Sequence, residues 1–155
     1  MDIRIERATI EDAKDLILVQ NDAFLEDFEA YGECPSFKES IDVMENHIIN
    51  DFIFMIIDGK YIIGDIQIKE NPENKYYLRV ISILKTYQGF GIGQKAIKFI
   101  ENEFINAEEW SLITPYKSLR NHHFYEKMGY IKVGEYRHSP VLIMFKYQKN
   151  IRKQT

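Results

Sequence analysis

The chain has 155 residues, of which 45% are hydrophobic and 28% charged, and its formal net charge at pH 7 is −4. This length and composition are those of one globular domain and exclude a disordered protein. The acidic balance disfavours nucleic acid as a partner, because binding to phosphates needs a basic face. A single cysteine, Cys34, excludes an internal disulfide and indicates a cytoplasmic setting.

The sequence predicts no membrane segment. Its start has no apolar region typical of a signal peptide, and no apolar run approaches the roughly 20 residues that span a bilayer.

The first third of the chain predicts a strand and two helices. Ile3 and Ile5 begin the strand, and Thr9 follows as the N-cap of the first helix. The apolar residues of that helix recur at helical spacing: Ala13, Leu16, Ile17, Ala23, Phe24 and Phe28. After a loop, Ser36 and Glu39 have the spacing of a capping box, which predicts that the second helix starts there.

The rest of the chain predicts strands interrupted by two helices. Asp58-Gly59 is a strong hairpin signal between two strands, and a third strand ends near Leu84. A glycine-rich turn leads into a helix that reaches about Phe104, and Gly129 closes a later helix. The resulting order, β-α-α-β-β-β-α-β-α-β-β, predicts an α/β domain on a mixed sheet flanked by helices. We assign residues 1–148 to this domain and residues 149–155 to a short C-terminal tail.

The segment Tyr87-Gln-Gly-Phe-Gly-Ile-Gly-Gln94 lies between a predicted strand and a predicted helix. Glycines allow a positive φ and a close approach of a ligand, and a helix N-terminus favours an anion such as a pyrophosphate. The segment is not a dinucleotide fingerprint, which would need glycine where Gln94 stands. It is not a Walker A loop either, because Gly93 is followed by Gln94-Lys95 and not by Lys-Ser/Thr. A tight turn without a ligand stays open as the other interpretation of this motif.

Two motifs together resemble a known family. Gln88-x-x-Gly91-x-Gly93 is similar to the Q/R-x-x-G-x-G/A signature of the GNAT superfamily of acyl-CoA-dependent N-acyltransferases. Residues 124–130 resemble its second hallmark, a tyrosine near the end of a helix that runs into a Gly-aromatic turn. The order of elements also matches, so the resemblance covers residues 2–147.

The resemblance implies a GNAT-like domain with a mostly antiparallel sheet, acetyl-CoA as cosubstrate and no metal. The CoA pyrophosphate would be held by Gln88, Gly89, Phe90, Gly91, Ile92 and Gly93. The backbone of Ile81 and Ile83 would pair with the pantetheine arm, and an N–H there would polarise the thioester carbonyl. Tyr125 would be the general acid for the CoA thiolate after direct attack by a neutral amine in a ternary complex.

Several positions depart from the family pattern. Ser118 stands where many members have asparagine, and Asn121 is a candidate for the same CoA contact or a surface residue. Tyr77 stands where some members have a glutamate base, so the sequence places no carboxylate base there. His122 and His123 point about 100° apart on a helix and cannot chelate a metal together, which predicts rim or surface positions.

The acidic residues of the first predicted helix and its loop indicate the kind of acceptor. Between Asp15 and Phe37 there are six acidic residues and no Lys or Arg. In the family this region forms one wall of the acceptor cleft, so we expect a cationic primary amine, small molecule or peptide, bound by Glu29 and Glu33. A solvated helix face is the other interpretation of these acids. A non-catalytic CoA-binding regulatory module is the alternative to an enzyme, and a monomer and a homodimer are both open.

Overall fold

A computed structural model describes residues 1–151, which form one seven-stranded sheet with helices on both faces. The elements are β1 (Ile3–Arg7), α1 (Ala13–Tyr31), α2 (Ile41–Asn50), β2 (Phe52–Asp58), β3 (Tyr61–Asn71), β4 (Lys75–Ile83), α3 (Ile92–Glu103), β5 (Glu109–Pro115), α4 (Leu119–Lys127), β6 (Ile131–Ser139) and β7 (Leu142–Asn150). Short 3-10 turns precede α1 and α3, at Ile10–Asp12 and Lys85–Tyr87. The predicted α/β fold and element order are confirmed.

The core lies on both faces of the sheet. One cluster packs β2–β5 and β7 against α3 and α4, and its largest buried side chains include Ile97, Ile100 and Trp110. A second cluster packs β2 against α1 and α2 through residues such as Leu16 and Met44. Because β2 is covered on both faces, its residues form a continuous apolar run instead of an alternating one.

The strand order is β1-β2-β3-β4-β5-β7-β6, and β4–β5 is the parallel pair in an otherwise antiparallel sheet within the described residues. The paired stretch of β4 and β5 is short, since only Lys75–Tyr77 pairs with Glu109–Ser111. The next part of β4 contains a bulge, since Gln67 pairs with Val80 and Ile68 with Leu78, which leaves Arg79 unpaired. A bulge bends its strand. β4 and β5 therefore separate, and a cleft opens between them.

The start of α2 differs from the prediction. The N-cap is Ser40, whose Oγ accepts a hydrogen bond from the Val43 N–H at 3.2 Å, so the predicted capping box at Ser36 is wrong. Lys38 has a φ of 58°, which interrupts a helical path, and the Ser36 carbonyl accepts a hydrogen bond from Gln20 instead. Residues 32–40 consequently form an irregular loop beside the cleft.

The chain continues as regular structure beyond the domain boundary predicted at residue 148. β7 runs to Asn150, and the N–H of Ile151 donates to the Glu108 carbonyl at 2.9 Å. The remainder of the predicted tail, residues 152–155, lies outside the described residues. Among residues 1–151, no helix combines the length and the apolar character needed to cross a membrane.

Candidate active site

Two cavities of similar size meet in the cleft between β4 and β5. The first, about 370 Å³, lies at the glycine-rich loop and the N-terminus of α3, and we call it the glycine-loop cavity. The second, about 360 Å³, is lined by three carboxylates, Asp27, Glu33 and Glu39, and we call it the acidic cavity. Five residues line both cavities and define their junction: Phe24, Asp27, Ile81, Asn121 and Tyr125.

The glycine-rich loop has an open face toward its cavity. Gly89 and Gly91 have φ angles of 86° and 78°, and a Cβ at either position would meet no atom within 4 Å. Within residues 1–151, the N–H groups of residues 89–91 donate no backbone hydrogen bond. Gly91 is the N-cap of α3, whose first N–H groups have no partner inside the helix. Several N–H donors and the positive end of a helix dipole therefore meet in one place, which suits a phosphate group.

Gln88 connects this loop to two neighbouring elements. Its Nε2 donates to the carbonyl of Ile83 at 3.0 Å, and its Oε1 accepts a hydrogen bond from Arg120 Nη1 at 2.5 Å. The guanidinium of Arg120, which lines the glycine-loop cavity, adds positive charge beside the loop. Sequence reasoning missed Arg120 because it belongs to α4, 32 residues from Gln88, and to neither motif.

Gly93 has a different role from the two glycines before it. A Cβ at this position would lie 3.1 Å from Cζ of Phe124, which is tighter than an ordinary van der Waals contact. Its missing side chain allows α3 to pack against α4, which carries Tyr125. One glycine motif thus provides both an open loop and a close helix contact.

The unpaired edge of β4 presents backbone groups to the cleft. The N–H of Leu84 donates to the Ile63 carbonyl at 2.8 Å, and bonded and non-bonded pairs alternate along an antiparallel ladder. Ile83 and Ile81, opposite Gly64 and Ile66, therefore direct their backbone groups away from β3 and toward the cleft. Because Gln88 occupies the Ile83 carbonyl, the Ile81 N–H and C=O and the Ile83 N–H are the groups left for an extended ligand.

Tyr125 lies in α4 at the junction. Its ring contacts that of Tyr130, with centroids 5.8 Å apart, and the residue is buried. Burial, with a smaller contribution from Tyr77, raises the pKa of the Tyr125 hydroxyl, which therefore keeps its proton at neutral pH. Asn121, one helical turn earlier, donates from Nδ2 to Thr114 Oγ1 at 3.1 Å. The junction thus contains a protonated phenol and an amide held by β5.

The acidic cavity lies between α1, the loop at residues 32–40, β4, β5, α4 and β7. Burial raises the pKa of the Asp27 and Glu39 carboxyls, and Glu33 Oε1 lies 3.7 Å from His138 Nε2. Cys34 also lines the cavity, and burial raises the pKa of its thiol to about 11. Because a thiol must be ionised to attack, Cys34 is a poor nucleophile at neutral pH.

The structure brings most predicted site residues together. Of the nine residues predicted for the cosubstrate, eight line the glycine-loop cavity, and the ninth, Phe90, is 62% exposed and lines neither cavity. Glu33 lines the acidic cavity, whereas Glu29 is exposed and lines neither. Asp27 and Glu39 were not predicted individually, and the cluster of acids in the first helix was the one signal that pointed toward Asp27.

His122 corrects a sequence expectation. It is buried instead of lying at the surface or rim, its ring stacks on Phe145 at 4.9 Å, and Nε2 lies 2.9 Å from the Pro115 carbonyl. The short polar-apolar pattern of α4 gave no sign that this face turns toward β7. In the described part of the chain, no group of three or more His, Cys, Asp or Glu side chains is arranged to hold a metal ion.

Comparison with known proteins assigns the family. A sequence model of the acetyltransferase (GNAT) family matches residues 18–130, which is most of the chain. The chain therefore belongs to the GNAT acetyltransferase family, as the two motifs predicted. No curated protein matches the sequence.

Solved structures agree on the fold. The PaiA N-acetyltransferase from Thermoplasma acidophilum in complex with coenzyme A is similar over 97% of this chain and 100% of that chain, with 19% identity and a TM-score of 0.82. A ribosomal-protein-alanine N-acetyltransferase from Escherichia coli is similar over 99% and 96% (12% identity, TM-score 0.82). A GNAT-family acetyltransferase from Streptococcus pneumoniae is similar over 97% and 100% (17% identity, TM-score 0.78).

Proposed function

We propose that this protein transfers the acetyl group of acetyl-CoA to a primary amine in a ternary complex. The observation that carries the proposal is the junction, where a cavity suited to a phosphate-bearing ligand meets a cavity lined by carboxylates. Two substrates that enter from opposite sides would meet beside Tyr125. Holding two reactants in contact is itself a large part of the rate enhancement of such a transfer.

Acetyl-CoA fits the residues of the glycine-loop cavity. The open space beside Gly89 and Gly91, the free N–H groups of the loop and the nearby Arg120 suit a pyrophosphate. The cleft-facing backbone of Ile81 and Ile83 suits the extended pantetheine arm. We assign the remaining contacts to Gln88, Ile92, Gly93 and Asn121, whereas Phe90 contributes at most its backbone.

The junction provides a chemical group for each step of the proposed transfer. The neutral amine attacks the thioester carbon, and the Ile81 N–H stabilises the negative charge that develops on the carbonyl oxygen. When the C–S bond breaks, the Tyr125 hydroxyl donates its proton to the CoA thiolate. Because burial raises the pKa of Tyr125, its hydroxyl still carries the proton when the thiolate forms.

For the acceptor we propose a cationic primary amine, on a small molecule or a peptide. The acidic cavity gains Asp27 and Glu39 beside the predicted Glu33, while Glu29 acts at longer range from the surface. Such a negative field raises the local concentration of cations. We place the protein in the cytoplasm, as a monomer or homodimer. Because its net charge is −4, we expect no nucleic-acid partner.

Two measurements test the proposal. Calorimetric titration is expected to show binding of CoA and acetyl-CoA, and a thiol-release assay is expected to show turnover with an amine panel of propylamine, spermidine, lysine and a peptide. Failure of CoA to bind would overturn the proposal. Binding without thiol release from any amine would favour the alternative, a regulatory CoA-binding module.

A further inference from the structure

The junction contains one carboxylate, Asp27 of α1. Glu33 and Glu39 line the acidic cavity alone, and Glu26 lines the glycine-loop cavity alone. Under the proposed function, on which this inference rests, the amine nitrogen reaches the thioester carbon at the junction. Asp27 is therefore the acidic side chain shared by the spaces that the two substrates occupy, and Tyr125 is the phenol shared by them.

The surroundings of Asp27 leave its carboxylate available. Within residues 1–151, no hydrogen bond or ion pair engages its oxygens. The groups that interact electrostatically with Asp27 are Glu26 and Tyr31 on its own helix, Cys34 in the following loop and Arg120 on α4. The other charged and titratable residues that line its cavities are Tyr125 on α4, Tyr77 and Arg79 on β4, Glu33 and Glu39 in the loop, and Tyr87.

The two arginines that line the cavities, Arg120 and Arg79, have other partners. Arg120 donates to Gln88, and Arg79 donates to Gln67 and contacts His47. Arg120 lowers the pKa of the Asp27 carboxyl only in part, and burial, the larger effect, raises it above its ordinary value. A carboxylate with a raised pKa holds a proton more strongly, which makes it a better base.

We propose that Asp27 is the general base, which accepts a proton from the ammonium group of the acceptor. The ammonium loses one N–H proton to the Asp27 carboxylate, and the neutral nitrogen then attacks the thioester carbon. As the C–S bond breaks, the thiolate takes the Tyr125 proton. After the attack the nitrogen carries two protons; it releases one to water and becomes the amide nitrogen. Solvent then returns a proton to Tyr125 and removes the proton from Asp27. The sum is acetyl-CoA and an ammonium giving amide, CoA thiol and one released proton.

The other candidates fit this role less well. Burial raises the pKa of the Tyr77 hydroxyl, so Tyr77 is a neutral phenol at pH 7 and cannot accept the proton. Glu39 Oε2 lies 3.9 Å from His47 Nε2, at the α2 side of the acidic cavity. Glu33 lies beside His138, on β6.

The test compares Asp27→Asn with a matched control, Asp22→Asn, and with Glu39→Gln, which removes another carboxylate of the acidic cavity. Asp22 lies on the same helix as Asp27, is exposed and lines neither cavity. Each protein is assayed for thiol release with propylamine, an ammonium at pH 7, and with its isostere O-ethylhydroxylamine, which is neutral at that pH. CoA titration and thermal melting establish that each variant is folded.

Asp27→Asn is expected to lower kcat with propylamine by roughly 10²–10⁴-fold at pH 7. It should leave turnover of O-ethylhydroxylamine and CoA affinity within about twofold of wild type. Activity with propylamine should return as the pH approaches the pKa of the free amine. Asp22→Asn should retain wild-type kcat, and any loss in Glu39→Gln should appear as a higher KM for propylamine, because Glu39 belongs to the proposed acceptor site.

Three results would overturn the inference: equal losses of Asp27→Asn with both amines, wild-type turnover by Asp27→Asn, or the amine-selective loss in Glu39→Gln instead. If the wild type binds CoA but releases no thiol with any amine, the proposed function fails as well. The two failures are therefore separated by the wild-type assay.

Discussion

The two cavities have nearly equal volumes but are built differently. The glycine-loop cavity takes most of its lining from one stretch of chain, residues 81–94, and offers backbone groups. The acidic cavity is assembled from residues of α1, the following loop, β4, β5, α4 and β7, and it offers three carboxylates, a thiol and an arginine. A ligand shared by a whole family can be held by the backbone, because backbone groups survive most substitutions. An acceptor that varies between members needs side chains that can change.

The junction belongs to both halves, and its chemistry is expected to give the largest effect. Tyr125→Phe removes only the hydroxyl of a buried residue, so the fold and CoA affinity should persist. Because the proposed proton donation would act mainly in the transition state, kcat should fall by roughly 10²–10⁴-fold. Steady-state thiol release with calorimetric CoA titration measures both quantities. Wild-type turnover in this variant would show that the thiolate leaves unassisted or that another group serves as the acid.

Behind the junction, polar residues of β3 and β4 are predicted to make stability depend on pH. Asp65 is fully buried, accepts hydrogen bonds from Ser82 Oγ and from Gln67 Nε2, and lies near Arg79. Burial raises its pKa to about 6. The folded state thus binds this proton more tightly than the unfolded state, so the contribution of Asp65 to stability is greatest at low pH and is lost as pH rises through about 6.

Asp65→Asn removes this titration. Relative to wild type, the variant should gain roughly 2 kcal/mol of unfolding free energy between pH 4.5 and pH 7.5. Denaturant unfolding at both pH values measures the gain. Asp22→Asn, at an exposed position of α1, controls for the loss of a carboxylate and should show no such trend. A stability difference for Asp65→Asn that is independent of pH would contradict the raised pKa.

The glycine-loop half should be sensitive to added side chains. Gly91→Val places a Cβ in the space assigned to the pyrophosphate, and the φ of 78° at Gly91 disfavours valine. The Kd of acetyl-CoA should rise by roughly tenfold or more, which corresponds to about 1.4 kcal/mol. Gly59→Val is the matched control, because Gly59 has a φ of 60°, equally open surroundings and a position in the β2–β3 turn. Equal CoA affinity in folded Gly91→Val and Gly59→Val would refute the assignment.

The backbone-built half was largely predictable from the sequence. The signature Gln88-x-x-Gly91-x-Gly93 is contiguous, and a short motif fixes local geometry at one strand-to-helix turn. Element order followed from hydrophobic periodicity, which reports which faces are buried. The separation of β4 from β5 was not predicted from the residues, since the bulge at Arg79 depends on pairing with a distant strand.

The side-chain-built half was predicted only as a charge bias. Asp27, Glu33 and Glu39 line one cavity together with residues of β4, and spacing along the chain does not encode this arrangement. Local signals misled at Ser36, where the capping pattern was present but Lys38 broke the helix. His122 was likewise misplaced, because burial in α4 depends on packing against β7.

Charge at the acidic cavity should give the smallest effect, on acceptor preference. Glu33 is about one-third exposed and screened by solvent, so Glu33→Gln should lower kcat/KM for spermidine by only about two- to fivefold at low salt. The loss should shrink as salt is added, because screening weakens the attraction of a cation. Glu29→Gln should have a smaller effect, since Glu29 is exposed and lines neither cavity.

The negative field of the acidic cavity also favours the protonated form of the amine, so activity should rise with pH until the amine is neutral. Thiol-release assays with spermidine and aspartate at two salt concentrations make the comparison. Equal kcat/KM for the two acceptors at low salt would refute a cationic preference, and so would a preference that both substitutions leave intact.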